Sequence, residues 1–218
     1  MPIWSRLFSH FLFALFVLLI GVVCPVLGQE EWDEDEEPPP TEESPQVDWD
    51  DYMSTFYAPG DQTFFINLGI TIPTVFYGKE GKLDHNLTLG GTGFLAYQYY
   101  NTAHVFIGGE IGGMFCGTKA GNMLFMVPMG LRLGYQFVVG RFEFPVSLLG
   151  GAIFQKYLEK NFFGLFVKPM ASVFYRFSPD WSFGLNAAWW FVPEWTGNKD
   201  ENVYGNFLEL TLSAAYHF

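Results

Sequence analysis

The sequence predicts an all-β protein, an eight-stranded antiparallel transmembrane β-barrel with a disordered acidic N-terminal leader. Three observations predict it. From Thr63 to the end, apolar and polar side chains alternate in segments of 11 to 15 residues, which is the period of strands and not of helices. Those segments exceed the roughly five or six residues usual in soluble sheets and meet the about 9 to 11 that a tilted strand needs to cross a bilayer. Short and long connections alternate between them, and aromatic rings gather beside the short ones, as rings do at a headgroup boundary.

The N-terminal part reads differently. Residues 1–28 hold one basic side chain, Arg6, then a dense apolar run from Leu7 to Val23, then Cys24-Pro25 and small residues up to Gly28. This is the layout of a secretory signal peptide cleaved after Gly28. A permanent transmembrane helix has the same length, but turn-forming residues and then charge close the segment. Lipoprotein processing at Cys24 is a third option, disfavoured by the bulky Val23 before it. With residues 1–28 removed, Cys116 is the remaining thiol and no internal disulfide can form.

Residues 29–62 form the expected leader. Its first part, 29–51, carries 12 of the 23 acidic residues and no Lys or Arg, with a Pro-rich centre. Too little apolar surface is present there to offset the entropy of ordering the chain. It reads as a solvated spacer; the sharper reading is a ligand for a basic partner or for divalent cations, with Trp32 and Trp49 inside the acidic clusters as anchors. The net charge of −12 therefore belongs mostly to this segment, since residues 52–218 hold 11 acids and 10 bases. A charge of that sign excludes a typical nucleic-acid binder, and a chain that is 20% aromatic with two cysteines is neither disordered throughout nor stapled by disulfides.

The barrel is expected over 63–218. Strand 63–73 places Phe64, Ile66, Leu68, Ile70 and Ile72 on one face; 87–100 repeats the pattern with Leu87, Leu89, Leu95, Tyr97 and Tyr99, and 103–116 with Val105, Ile107, Ile111 and Phe115. Segments 123–137, 141–155, 163–177, 181–193 and 204–218 follow the same rule. Asn101-Thr102, Val138–Gly140 and Ser178–Asp180 read as tight turns, whereas 74–86, 117–122, 156–162 and 194–203 read as longer loops. Pro128 and Pro169 cannot donate to a ladder and suggest bulges or openings in the wall.

Parity then sends the strand charges inward: Glu110, Arg132, Glu143, Lys168, Arg176 and Glu209. None is left on the lipid face, where a midplane Arg or Lys costs about 2 to 4 kcal/mol. Counting from the short-turn end pairs Glu110 with Arg132, Lys168 with Glu209 and Glu143 with Arg176, as structural ion pairs or as a gate. The same parity turns Phe94, Met114, Leu124, Met126, Ile153, Phe166, Met170, Trp190 and Phe207 inward. Many of these lie toward the long-loop half, which reads either as an apolar ligand pocket or as a dry plug. Eight strands leave little room for a wide aqueous pore.

The chain ends on alternating Leu210, Leu212, Ala214, Tyr216 and Phe218. This last strand resembles the assembly signal of bacterial outer-membrane barrels. The resemblance implies outer-membrane lipids, the barrel-assembly machinery and periplasmic chaperones as partners; with an even strand count both ends of such a barrel fall on the periplasmic side, which places the leader there. Size, strand number and an apolar upper lumen make the chain similar to the OmpW family, which implies binding or passage of small hydrophobic molecules. OmpX and the membrane part of OmpA are similar in size and strand number too, and imply a structural or surface-interaction barrel without transport. The oligomeric state stays open.

The residues argue against an enzyme. His10 leaves with the signal peptide, His104 and His217 fall near the short-turn end, and the long loops contain no serine to partner His85, which lies beside Asp84. Scattered histidines and one retained cysteine make no zinc spacing, so neither a metal nor a cofactor is expected. Gly90, Gly91, Gly93, Gly108 and Gly109 lie inside strands and not before a helix, so they serve packing and curvature, not phosphate binding.

Overall fold

Alternation is realised as a closed wall. The computed structural model describes residues 57–158, 160–195 and 202–218. The expected signal peptide and most of the expected leader lie outside them. Among the described residues the strands are β1 (Gln62–Gly78), β2 (Gly81–Leu83), β3 (Leu87–Tyr100), β4 (Val105–Thr118), β5 (Met123–Val139), β6 (Phe142–Tyr157), β7 (Lys160–Arg176), β8 (Trp181–Glu194) and β9 (Val203–His217). The three-residue β2 folds back on β1 and extends one hairpin. The other eight pair antiparallel in chain order, and β9 returns to β1 through Thr63↔His217, Leu68↔Leu212 and Thr71↔Glu209. Closure leaves no wall strand with an open edge, the condition for a sheet to sit in hydrocarbon.

Wall strands of 14 to 17 residues span about 35 to 45 Å along the axis at a tilt near 40°, more than the roughly 30 Å of hydrocarbon. Outward positions are apolar throughout the midsections: Leu131 is 72% and Leu212 68% exposed. In water that surface would be a large liability; in lipid it is the solvated face. Aromatic pairs ring the short-turn end, including Tyr135–Phe137, Phe142–Tyr175 and Trp181–Tyr216.

Several boundaries differ from the sequence reading. β1 runs on to Gly78 because its pairing with β9 survives an irregularity between Pro73 and Phe76. The expected long loop 156–162 is a tight connection instead: β6 and β7 zip up to Tyr157↔Lys160, with Leu158 at φ 56°. The contrast between the two ends is thus smaller than the sequence suggests. Nor do Pro128 and Pro169 create bulges. The β4–β5 ladder omits the pairs beside Pro128 yet resumes in the same register, Ile111↔Met129 and Met114↔Met126. The β7–β8 ladder does likewise around Pro169, between Val167↔Phe191 and Met170↔Ala188. A missing N–H removes a rung without inserting a residue; the register shifts occur at Pro73/Phe76 and at Leu87/Gly90.

Small residues make the narrow interior possible. A Cβ on Gly112 would overlap the ring of Phe94, and one on Gly134 the ring of Phe106, so glycine on one strand leaves room for a ring from its neighbour.

Candidate functional site

The described lumen has three levels, set by where along the strands the polar and apolar inward positions fall. At the short-turn end, Glu143 of β6 is a hub. It accepts hydrogen bonds from Tyr57 Oη at 2.6 Å, Gln136 Nε2 at 3.0 Å and Ser182 Oγ at 3.3 Å. Arg176 Nε lies 3.2 Å from Glu143 Oε1, the oxygen that Ser182 also meets. Tyr57 comes from just before β1, so the described end of the expected leader is built into the barrel. Its ring stacks on Tyr100 with centroids 3.9 Å apart, and the Arg176 guanidinium lies 5.1 Å from its centroid. Burial raises the Tyr57 phenol well above its usual range; Tyr100 and Glu143 push the same way and Arg176 opposes them. Tyr57 is therefore held as a neutral donor.

Ser182 Oγ and His217 Nε2 are 2.8 Å apart here, with Thr63 Oγ1 3.1 Å from the other ring nitrogen. The sequence reading searched the long loops and missed this pair. Both residues are buried, Tyr57 packs edge-on against the imidazole, and the histidine is oriented by a hydroxyl. The arrangement closes the lumen end with mutually bonded polar groups, while Gln98 Oε1 beside them has no partner among the described residues.

At mid-height, a chain of ion pairs crosses the interior. Arg132 of β5 bonds Glu110 of β4; Lys168 Nζ of β7 lies 2.5 Å from Glu110 Oε1 and 3.2 Å from Glu209 Oε1 of β9. Two cations thus balance two carboxylates. Trp190 Nε1 donates to Glu209 at 2.9 Å, and Lys168 sits 4.2 Å from the centroid of Phe94 and 4.6 Å from that of Trp190. Such pairing is what makes charge tolerable in a dry interior. Met170 belongs to this level, with Arg132 Nη2 3.8 Å from its sulfur, and not to the apolar level above.

Toward the long-loop end, Phe94, Met114, Cys116, Leu124, Met126, Leu149, Ile153, Phe166, Trp190, Val192 and Phe207 form one buried cluster. The Phe166 and Trp190 rings stack with centroids 5.0 Å apart. Met114, Met126, Ile153 and Trp190 have no exposed surface, so this layer is packed. Above it the lumen opens into a pocket of about 830 Å³ at the mouth, lined by apolar Phe76, Leu87, Leu124, Tyr157, Phe162 and Val203 and by polar Asp84, His85, Gln155, Lys160 and Glu194. The volume suits a small molecule. The sequence reading placed the apolar lining lower and did not include His85 or Gln155 in it.

A second depression, about 700 Å³, lies on the outer wall between Leu68, Ile70, Val173, Leu185, Leu210 and Leu212. It faces the acyl chains of the bilayer, which have the chemistry to fill it. Among the described residues no cluster of three or more His, Cys, Asp or Glu could hold a metal ion, and Cys116 is a buried free thiol.

An uncharacterized protein of Treponema pallidum is 33% identical over 140 residues, covering 64% of this chain and 62% of the relative. The chain thus spans about three-fifths of that relative's length. An uncharacterized protein of Borreliella burgdorferi is 27% identical over 176 residues, covering 70% of this chain and 82% of the relative. Among solved structures, Neisserial surface protein A (NspA) superposes with a TM-score of 0.53 at 10% identity, over 73% of this chain and 97% of that one. The outer membrane protein OprG of Pseudomonas aeruginosa gives 0.50 at 9% identity, over 74% and 97%. The architecture is therefore that of small outer-membrane barrels. A protein-family model matches residues 40–216, which take in nearly the whole barrel, and the chain belongs to that family.

Proposed function

We propose that the protein resides in a bacterial outer membrane and binds small, mostly apolar molecules at its long-loop mouth, in the manner the OmpW resemblance implies. The mouth pocket carries this reading. It is large enough for a ligand, mainly apolar in its lining, and open above a packed floor. In this reading the segment before Tyr57 faces the periplasm after signal-peptide removal, and the strand ending at Phe218 is what the barrel-assembly machinery receives. The six inward charges act as internal structure and not as a gate, because two closed levels lie between the pocket and the short-turn end. Binding is thus favoured over axial transport.

One observation favours the structural alternative: most of the described lumen is packed and internally satisfied. The two readings separate in a fluorescence titration of the detergent-refolded chain with 1-aminoanthracene, with protein-free micelles as reference. Saturable binding that Leu124→Arg abolishes supports the pocket; binding absent in both proteins supports a structural barrel.

A further inference from the structure

The mouth pocket holds two buried polar atoms whose roles are opposite. Gln155, 4% exposed, lines the pocket from β6, and its Nε2 has no hydrogen-bond partner among the described residues. His85, half-buried in the loop before β3, approaches the Thr74 carbonyl oxygen with Nε2 at 3.3 Å. A carbonyl only accepts, so in that contact Nε2 carries the proton, and Nδ1 of the neutral ring is left as an acceptor. Nδ1 too is buried without a partner among the described residues. Both atoms are covered in this structure, so the site offers one donor and one acceptor once the two side chains turn toward a ligand, and a buried polar group left unpaired is destabilising.

Resting on the mouth-pocket reading, we propose that the pocket takes an uncharged amphipathic molecule whose head both accepts and donates a hydrogen bond. The head is an alcohol or a primary or secondary amide. It accepts from Gln155 Nε2 and donates to His85 Nδ1, while its hydrocarbon packs on Phe76, Leu124 and Tyr157. Charged heads fit worse for stated reasons. A carboxylate has no proton to give His85, and among the described lining residues it meets Asp84 and Glu194 against one lysine, Lys160. An ammonium group cannot accept from Gln155. A plain hydrocarbon leaves both atoms unpaired and forfeits about one hydrogen bond's worth of discrimination, on the order of tenfold.

The test compares naphthalene, 2-naphthamide and 2-naphthoate as displacers of 1-aminoanthracene from the full refolded chain at pH 8. The expected result is that 2-naphthamide binds about tenfold tighter than either of the others. Gln155→Leu should bring the amide-to-hydrocarbon affinity ratio to about one, and His85→Phe, a loop change that spares the wall, should reduce it. Equal binding of amide and hydrocarbon, tightest binding of the naphthoate, or an amide preference that survives both substitutions overturns the proposal. Naphthalene binding that Leu124→Arg abolishes, without an amide preference, sinks this inference alone. No binding by any of the three sinks the pocket reading with it.

Discussion

Lys168 Nζ reaches Glu110 Oε1 at 2.5 Å across the lumen, from β7 to β4. Because the same ammonium also meets Glu209, one side chain joins three strands that are not neighbours in the wall. Replacing it by Met should leave Glu110 with Arg132 and strip Glu209 of its cation, leaving it the Trp190 N–H. Breaking a buried network from one side typically costs about 3 to 5 kcal/mol. Urea unfolding of the refolded barrel in lipid vesicles, followed by tryptophan fluorescence, should show a loss of that size for Lys168→Met. Lys168→Met with Glu209→Gln should recover part of it. An unchanged midpoint for the single variant would mean that the ion pairs contribute nothing to stability.

Tyr57 closes the short-turn end of the lumen through Glu143 and Tyr100. Tyr57→Phe removes only the hydrogen bond to Glu143 and should cost about 1.5 to 3 kcal/mol, the range for bonds to charged groups. Tyr57→Ala also loses the stack on Tyr100 and should cost more. The same unfolding assay checks both; equal stability of Tyr57→Ala and the parent would show that the segment does not dock.

The lipid face gives a third prediction. Leu131 lies at the middle of β5 and points outward. Leu131→Arg should destabilise the barrel in vesicles by about 2 to 4 kcal/mol, against roughly 0 to 1 for an arginine placed near either interface. A negligible cost at Leu131 would contradict a transmembrane orientation for that face.

The closed lumen gives a fourth. With ion pairs at mid-height and the Tyr57 plug at the short-turn end, the refolded protein in a planar bilayer should show no steady conductance. Sustained ion current would show that these levels open.

What the sequence makes legible follows from period. Alternation with no charge at outward midsection positions puts Glu110, Arg132, Glu143, Lys168, Arg176 and Glu209 on one side of the wall, and the same parity carries Phe94 and Trp190. Contacts between adjacent strands at equal depth can be counted from the turns. Lys168 with Glu110 cannot, because it depends on curvature bringing β4 and β7 face to face. Tyr57 is hidden for another reason: it precedes the first strand, where no periodicity marks an inward side chain. The mouth pocket was half legible. Leu124 falls on the lumen face by parity, whereas His85 enters from a loop whose path alternation does not set. Pro128 and Pro169 misled because a missing donor predicts a lost rung, and the sequence does not say whether the register also shifts.

The central claim, that apolar molecules bind in the mouth and not on the wall, is tested most directly by nuclear Overhauser contacts. The measurement uses naphthalene and leucine-methyl-labelled protein in detergent. Contacts to Leu124 and Leu87, which line the mouth pocket, are expected. Contacts confined to Leu68, Leu210 and Leu212, in the outer depression, would contradict it.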